Sequence, residues 1–507
     1  MSFTDGRFLI FLAIFFAAYF AAPGRVRWIV MLAFSAAFYA MLGGAFGIGV
    51  LALTIAIVYV SARMIERRRG SPQSAKDEPA RRMRGRAPLI ACVTVNFGLL
   101  IAFKYAAPSL PFKLVLIPGI SFFTFQAVGY LVDVYKGKVA AERNALRLAL
   151  FLSFFPQLLQ GPISRHSQIA DDLTAGHGWN WDRAAGGAMR ILRGYFMKLA
   201  IADYAAIAVD AVFSDVSRFG GAMLVLTLVL YSVQIYADFA GGVSITLGIA
   251  QIVGVSLPEN FNQPFFANSL TDFWRRWHIT LSTWLKDYLF YPVAISKPLG
   301  KLGKLARRTL GARLGKLVPA SVATFIVYFA MSVWHGVSVN ALIFGALNGG
   351  LITLSLFLEL PVERLRTLTR FNAARWSVAR VLAILRTFAL MLFLRIFARA
   401  ETTHTAFELL RRMFSSRLLV QLWDGTLLTL NLAPEELVVM LAAIVVLIVR
   451  EILAERYAVS SSPLSQRFFT SHPATQYAVT LVLMLFVLYC ALSREGYTPS
   501  AFIYAQY

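Results

Sequence analysis

Ser332-Val333-Trp334-His335-Gly336 lies between two long apolar runs, Val318–Met331 and Val337–Phe357. Apolar runs of roughly 20 residues are long enough to cross a bilayer core of about 30 Å as α-helices. An ionisable side chain at membrane depth is costly unless it is paired or used. This stretch therefore predicts membrane helices with a functional histidine, His335, between them.

The composition also indicates a membrane protein. Of the 507 residues, 58% are hydrophobic and 15% are charged, whereas soluble domains carry about 25% charged residues. Apolar runs recur along the chain, and several are too short to span alone. We expect an all-α polytopic protein with roughly 10–13 crossings, plus re-entrant or interfacial helices, around a central pocket. The first run, Phe8–Ala22, lacks a clear small-residue cleavage site and is predicted to be a retained helix.

The formal net charge of +23 comes largely from basic clusters between the apolar runs. The densest clusters are Arg63–Arg86, Lys297–Lys316 and Arg364–Arg380. Short basic loops mark the cytoplasmic face of a membrane protein, so we predict that the first two face the cytoplasm and contact anionic lipid. Docking of a specific anion or a carrier protein is the alternative use of these charges. A distribution of this kind argues against nucleic-acid binding.

A second histidine, His278, lies in an aromatic stretch that departs from the rest of the chain. Apolar side chains recur in it three or four residues apart, at Trp274, Trp277, Leu281, Trp284, Leu285 and Tyr288. This spacing predicts a helix over Leu270–Tyr291 that lies in the interface plane or lines a funnel. In such a helix Trp274 would share a face with His278.

The two histidines point to proton transfer. A neutral imidazole can accept the proton of a hydroxyl that attacks a thioester carbonyl and return it to the leaving group. For His335 the alternative is a hydrogen bond between packed helices. His278 could orient the substrate, polarise the carbonyl or hold the structure together. The histidines lack HxxxH spacing and carboxylates are scarce near them, so no metal site is predicted.

The motifs around both histidines resemble the membrane-bound O-acyltransferase family. They are Phe273-Trp274-Arg275-Arg276-Trp277-His278, Leu281-Ser282-Thr283-Trp284-Leu285-Lys286-Asp287-Tyr288 and Trp334-His335-Gly336. Further similar stretches are Gly119–Gln126, Asp133–Gly137, Phe154–Leu158, Gly161–Ile163, Tyr236–Gly241 and Asn260–Phe265. The resemblance covers residues 110–400 and implies one integral-membrane domain over residues 1–507, with additional membrane helices within 435–492.

The resemblance implies roles for individual residues. It makes His335 the catalytic base and His278 a second polar residue of the active site. Residues expected to line the pocket or contact substrate are Trp334, Trp274, Trp277, Asp238, Gln157 and Asn348.

Two bacterial branches of the family are candidates. Phe393–Ala400 and Ala406–Leu410 resemble the polysaccharide O-acetyltransferases, although Leu394-Arg395 and the basic stretch Val293–Lys316 depart from that branch. The alternative branch resembles the D-alanyl transfer proteins, which are fed by a carrier protein. The alternative to an enzyme is a transporter or flippase, in which the histidines would be relay residues.

The polysaccharide branch implies transfer of a small acyl group, expected to be acetyl, from a cytoplasmic thioester such as acetyl-coenzyme A. The acceptor would be a hydroxyl of an exported polysaccharide or of a relay protein. The expected partners are membrane lipid, an extracytoplasmic relay or polysaccharide-modifying protein, and an acyl-carrier protein, with no bound cofactor. The resemblance also implies a location in the bacterial inner membrane.

Overall fold

The computed structural model describes residues 3–70, 78–106, 117–368, 378–414, 419–457, 473–492 and 502. Within these ranges the regular structure is helical, and extended pairing is confined to an isolated bridge between Phe261 and Trp277. The predicted all-α fold is confirmed. The α-helices in chain order are α1 Gly6–Ala21, α2 Arg27–Arg69, α3 Glu78–Ile101, α4 Ile120–Lys136, α5 Ala145–Ser153, α6 Phe155–Leu158, α7 His166–Ala175, α8 Trp181–Tyr195, α9 Asp203–Ser214, α10 Gly221–Ile252, α11 Leu270–Arg276, α12 Ile279–Leu285, α13 Tyr291–Ala294, α14 Lys297–Leu310, α15 Leu314–His335, α16 Val339–Leu368, α17 Val378–Arg399, α18 Thr403–Met413, α19 Pro434–Tyr457 and α20 Pro473–Leu492.

Among the described residues, seven helical stretches are long and apolar enough to cross a membrane. They are Gly24–Arg69, Met83–Tyr105, Gly221–Ile252, Leu314–His335, Val339–Leu358, Val378–Arg399 and Pro434–Arg456. Two shorter helices, Gly6–Ala21 and Thr480–Cys490, are also apolar. The predicted polytopic membrane fold is therefore confirmed, while the predicted number of crossings stays a prediction.

The chain forms two compact units. Unit 1 comprises Met1–Lys198, Asp238–Glu259 and Leu483–Tyr507, and unit 2 comprises Leu199–Ala237 and Asn260–Val482. In unit 1 the ring of Phe155 makes edge contacts with Phe11 at 5.3 Å and Phe15 at 5.0 Å between centroids. The prediction of one integral-membrane domain stays a prediction.

Two glycines bring α16 close to α15 in unit 2. A Cβ atom added to Gly345 would lie 2.5 Å from Cβ of Ser332, and one on Gly349 would lie 3.2 Å from Cα of Phe325. Small residues four positions apart allow helices in membranes to pack closely. The Ser332 hydroxyl also donates a hydrogen bond to the Ala341 carbonyl across this helix pair. The packing fixes the end of α15, where His335 lies.

The predicted helix over Leu270–Tyr291 is wrong at its centre. α11 ends at Arg276, Trp277 is extended, and α12 begins at Ile279. Backbone hydrogen bonds with the Asn260–Asn262 segment replace helical ones at the break. Trp274 and His278 therefore do not share a helix face.

Two segments predicted as basic loops are largely helical. The basic side chains of Lys297–Leu310 are exposed on α14, whereas Gly303 and Ala306 are buried. Small and apolar residues three or four apart allow this segment to pack as a helix despite its charge. The predicted basic loop Arg63–Arg86 is helical up to Arg69, in α2, and again from residue 78 onward, in α3, and residues 71–77 lie outside the described residues.

Candidate active site

His335 is the last residue of α15 and is half-buried. The Gly336 N–H donates the last hydrogen bond of the helix, to the Ser332 carbonyl at 3.1 Å, and the chain then leaves the helical path. Beyond the turn, the Asn340 side chain donates to the Ala400 carbonyl at 2.7 Å and anchors the start of α16. His335 is thus a partly accessible imidazole held at the end of a well-packed helix.

The indole of Trp334 lies near both histidines. Its ring centroid lies 4.4 Å from that of His335 and 6.4 Å from that of His278. His278 is 2% exposed and Trp334 is 8% exposed. Unit 2 therefore brings together the two histidines and the tryptophan that were predicted for the site.

His278 is held by a segment that lies 18 residues earlier in the chain. Its Nδ1 atom is 3.3 Å from Oδ1 of Asn260, and the same oxygen accepts from the Thr280 N–H at 3.1 Å and the Thr280 hydroxyl at 2.9 Å. Asn260 is fully buried. Sequence reasoning did not predict Asn260 or Thr280 as site residues. The available signals were an asparagine-rich loop directly before an aromatic stretch and the similarity of Asn260–Phe265 to the family.

Burial lowers the pKa of His278 well below its usual range, and the charge that His335 can carry lowers it further. His278 lies outside the seven candidate membrane spans. Because its pKa is depressed, His278 is neutral near pH 7. The pair is thus an accessible imidazole beside a buried, neutral one.

Trp274 and Asn348 form a hydrogen-bonded pair. The Trp274 indole N–H donates to Asn348 Oδ1 at 3.2 Å, and the Asn348 amide donates to the Phe344 carbonyl at 2.9 Å. The amide of Asn348 thereby ties α11 to α16. These two predicted pocket residues are therefore in contact in unit 2, the unit that also contains both histidines.

Trp277 packs in an aromatic cluster around a buried arginine. The guanidinium of Arg395 lies 5.2 Å from the Trp277 ring, 5.7 Å from Phe265 and 5.9 Å from Phe273. A cation over an aromatic face stabilises by about 0.5–2 kcal/mol, more when it is desolvated. Arg395 had been noted only as a departure from the family pattern. Arg395 thus packs against Trp277, the residue that directly precedes His278.

Gln157 and Asp238, two further predicted pocket residues, belong to unit 1. Asp238 pairs with Lys198 at 2.7 Å, and both side chains are almost fully buried. Gln157 accepts a hydrogen bond from the Ser164 hydroxyl at 3.2 Å. In the structure, Asp238 is part of a buried ion pair and Gln157 is part of a hydrogen bond between packed segments.

Comparison with known proteins identifies the family. The model of the membrane-bound O-acyltransferase family matches residues 139–397. The chain is 32% identical to the protein named Probable alginate O-acetylase AlgI of Pseudomonas syringae pv. tomato over 432 residues, which cover 82% of this chain and 75% of the relative.

More distant relatives carry related names. The chain is 31% identical to the peptidoglycan O-acetyltransferase of Helicobacter pylori over 59% of this chain and 57% of the relative. It is 28% identical to the teichoic acid D-alanyltransferase of Bacillus subtilis over 56% of this chain and 68% of the relative. The chain is therefore an O-acyltransferase. It belongs to the membrane-bound O-acyltransferase family, on the branch that resembles the alginate O-acetylases.

Proposed function

We propose that this protein transfers an acetyl group from a cytoplasmic thioester, acetyl-coenzyme A, to a hydroxyl of an exported polysaccharide or of a relay protein, with His335 as the general base. The observation that carries the proposal is the position of His335. It is a half-buried imidazole at the end of α15, and the Trp334 indole next to it also lies near a buried, neutral histidine.

The chemistry is one acyl transfer. His335 accepts the proton of the acceptor hydroxyl as its oxygen attacks the thioester carbonyl, and the proton then passes to the sulfur when the carbon–sulfur bond breaks. The imidazolium formed in between lies at the carbonyl end of α15, where the helix dipole stabilises a positive charge. The products are the acetylated acceptor and the free thiol, and no redox partner is needed.

The names of the relatives support the acceptor class. Two of them are named as O-acetylating enzymes, of alginate and of peptidoglycan, and both of those acceptors are polysaccharides. The relative named as a D-alanyltransferase is similar over a smaller share of this chain. These similarities favour acetyl over D-alanyl as the transferred group and leave a relay protein as a compatible first acceptor.

The donor is tested by giving the purified protein labelled acetyl-coenzyme A, or labelled D-alanyl carrier protein, together with an acetyl-free acidic polysaccharide. We expect label to move from acetyl-coenzyme A to the acceptor, with one thiol released for each acetyl group. Transfer from the D-alanyl carrier alone would contradict the acetyl assignment. Movement of a solute into liposomes with the thioester intact would contradict acyl transfer altogether.

We further propose that the basic helix α14 and the basic residues at the end of α2 face the cytoplasm of a bacterial inner membrane. The exposed cations of α14 directly precede the span Leu314–His335, an arrangement that the positive-inside rule places on the cytoplasmic side. Single cysteines at Lys301 and Arg68 are expected to resist a membrane-impermeant thiol reagent in intact cells and to react after lysis. Labelling of either one in intact cells would contradict this topology.

A further inference from the structure

We infer that Asn260 is a positioning residue that holds His278 as the neutral imidazole with its proton on Nδ1, so that Nε2 accepts a hydrogen bond from a hydroxyl of the acceptor next to the one that reacts. This inference rests on the proposed function, because it assigns His278 a task in the same transfer. The sequence leaves three roles open for His278: orienting the substrate, polarising the carbonyl and holding the structure together. This inference selects the first.

The amide of Asn260 is oriented by Thr280. The backbone N–H of Thr280 can only donate, and it points at Oδ1 of Asn260 at 3.1 Å. An amide NH₂ in that position would place two donors against each other, so the oxygen must face Thr280. The Thr280 hydroxyl donates to the same oxygen at 2.9 Å. The side chain of Asn260 therefore presents a fixed acceptor.

This fixed acceptor determines which ring nitrogen of His278 carries the proton. Nδ1 of His278 lies 3.3 Å from the same oxygen, and an amide oxygen cannot donate, so Nδ1 carries the proton. In a neutral imidazole the other nitrogen then carries a lone pair. Nε2 cannot polarise a thioester carbonyl by donating to it, but it can accept from a hydroxyl. His278 is thus suited to orient the acceptor through a neighbouring hydroxyl, while His335 takes the proton of the reacting hydroxyl.

The backbone of Asn260 holds His278 as well. His278 has φ 46° and ψ 52°, a left-handed conformation that is unfavourable for a non-glycine residue. The Ile279 N–H donates to the Asn260 carbonyl at 3.0 Å, and the Asn262 N–H donates to the Arg276 carbonyl at 2.9 Å. Such conformations persist where the surroundings hold them, and they cluster at functional sites. Asn260 therefore fixes His278 through both its main chain and its side chain.

The tautomer can be measured without any transfer. In protein with ¹⁵N-labelled histidine, the ring signals that disappear in His278→Gln identify His278. We expect those signals to show a protonated Nδ1 and an unprotonated Nε2 in the wild-type protein, and to change in Asn260→Ala. Asn262→Ala is the matched control, since this exposed asparagine lies two residues away, and it should leave the signals unchanged. A protonated Nε2 in the wild-type protein would overturn the inference.

Transfer assays test whether this orientation is used. Asn260→Ala is expected to lower the transfer rate about tenfold, because a misoriented group loses part of the benefit of positioning. In a His278→Ala background the same substitution should cost less than about twofold, since residues that act through one another are not additive. A full tenfold loss in that background would mean that Asn260 does not act through His278.

Asn260→Asp keeps the test decisive if the alanine variant fails to fold. The carboxylate retains the acceptor, so more activity should remain than in Asn260→Ala. Its negative charge favours the imidazolium of His278, so the pH below which transfer is lost should move upward. If that limit does not move, the inference is overturned.

If the wild-type protein transfers acetyl and Asn260→Ala matches Asn262→Ala, the inference fails while the proposed function stands. If the wild-type protein transfers no acetyl, the proposed function fails and the tautomer measurement still decides the role of Asn260.

Discussion

Glutamine in place of His335 is expected to lower acetyl transfer by a factor of about 10²–10⁴, the contribution that is typical of a general base. Glutamine can still form hydrogen bonds, but an amide cannot accept a proton near pH 7. Expression and thermal stability should stay near wild type, because His335 is only half-buried and ends its helix. The measurement is the initial rate of labelled acetyl transfer at matched protein levels.

Two further glutamine variants make this result specific. His278→Gln is expected to keep about a tenth of the activity, because the amide can still accept a hydrogen bond from the neighbouring hydroxyl of the acceptor. His404→Gln, at an exposed histidine of α18, should match the wild type. If His335→Gln keeps more than roughly a tenth of the activity, less than about 1.4 kcal/mol of the barrier is involved, and the base lies elsewhere. Equal and complete loss in both variants would mean that the two histidines act as a unit.

Alanine in place of Asp238 is expected to destabilise the protein by about 3–5 kcal/mol, because it leaves the buried charge of Lys198 without its 2.7 Å partner. The free energy of unfolding, measured by chemical unfolding in mixed micelles, gives the size of this effect. Glu259→Ala is the matched control, since Glu259 pairs with Arg190 at a similar distance in unit 1 but is more than half exposed. Loss of an exposed pair costs about 0–1 kcal/mol.

A double variant separates a structural role of this pair from a functional one. Lys198→Met combined with Asp238→Asn removes both charges, and replacing a buried ion pair in this way is often close to neutral. We expect its stability to be near wild type and acetyl transfer to be retained. If stability returns and transfer does not, Asp238 acts in the reaction, as its inclusion among the predicted pocket residues had suggested.

The membrane fold and the neighbourhood of His335 could be predicted because their causes are local. An apolar run of sufficient length forms a membrane helix whatever surrounds it. A histidine between two such runs has no water to solvate it, so a special role follows from its position alone. Trp334 adjoins His335 in the chain, so its place in the site needed no knowledge of the fold.

The surroundings of His278 could not be predicted, because they depend on contacts between distant segments. The spacing of Trp274, Trp277 and Leu281 fits one continuous helix, and only the pairing of Phe261 with Trp277 reveals the break. A left-handed histidine is rare, and nothing in the local pattern favours it. The role of Asn260 follows from that same pairing.

The Lys198–Asp238 pair could have been predicted. Each residue is a single charge within an apolar stretch, and opposite charges buried in two such stretches are expected to pair. Asp238 is predicted only as a pocket residue, whereas this rule would also have indicated a basic partner in another apolar stretch. The basic residues of α14 predict a loop, because their charge outweighs the spacing of the small and apolar residues between them.

The most direct test of the central claim is thiol release from acetyl-coenzyme A by the purified wild-type protein and by His335→Ala, side by side, with the acceptor present. The account predicts that the wild-type protein releases one thiol for each acetyl group found on the acceptor. It also predicts that the alanine variant, inserted and folded to the same extent, releases thiol at less than about a hundredth of that rate. Equal rates in the two proteins would contradict the assignment of His335 as the base.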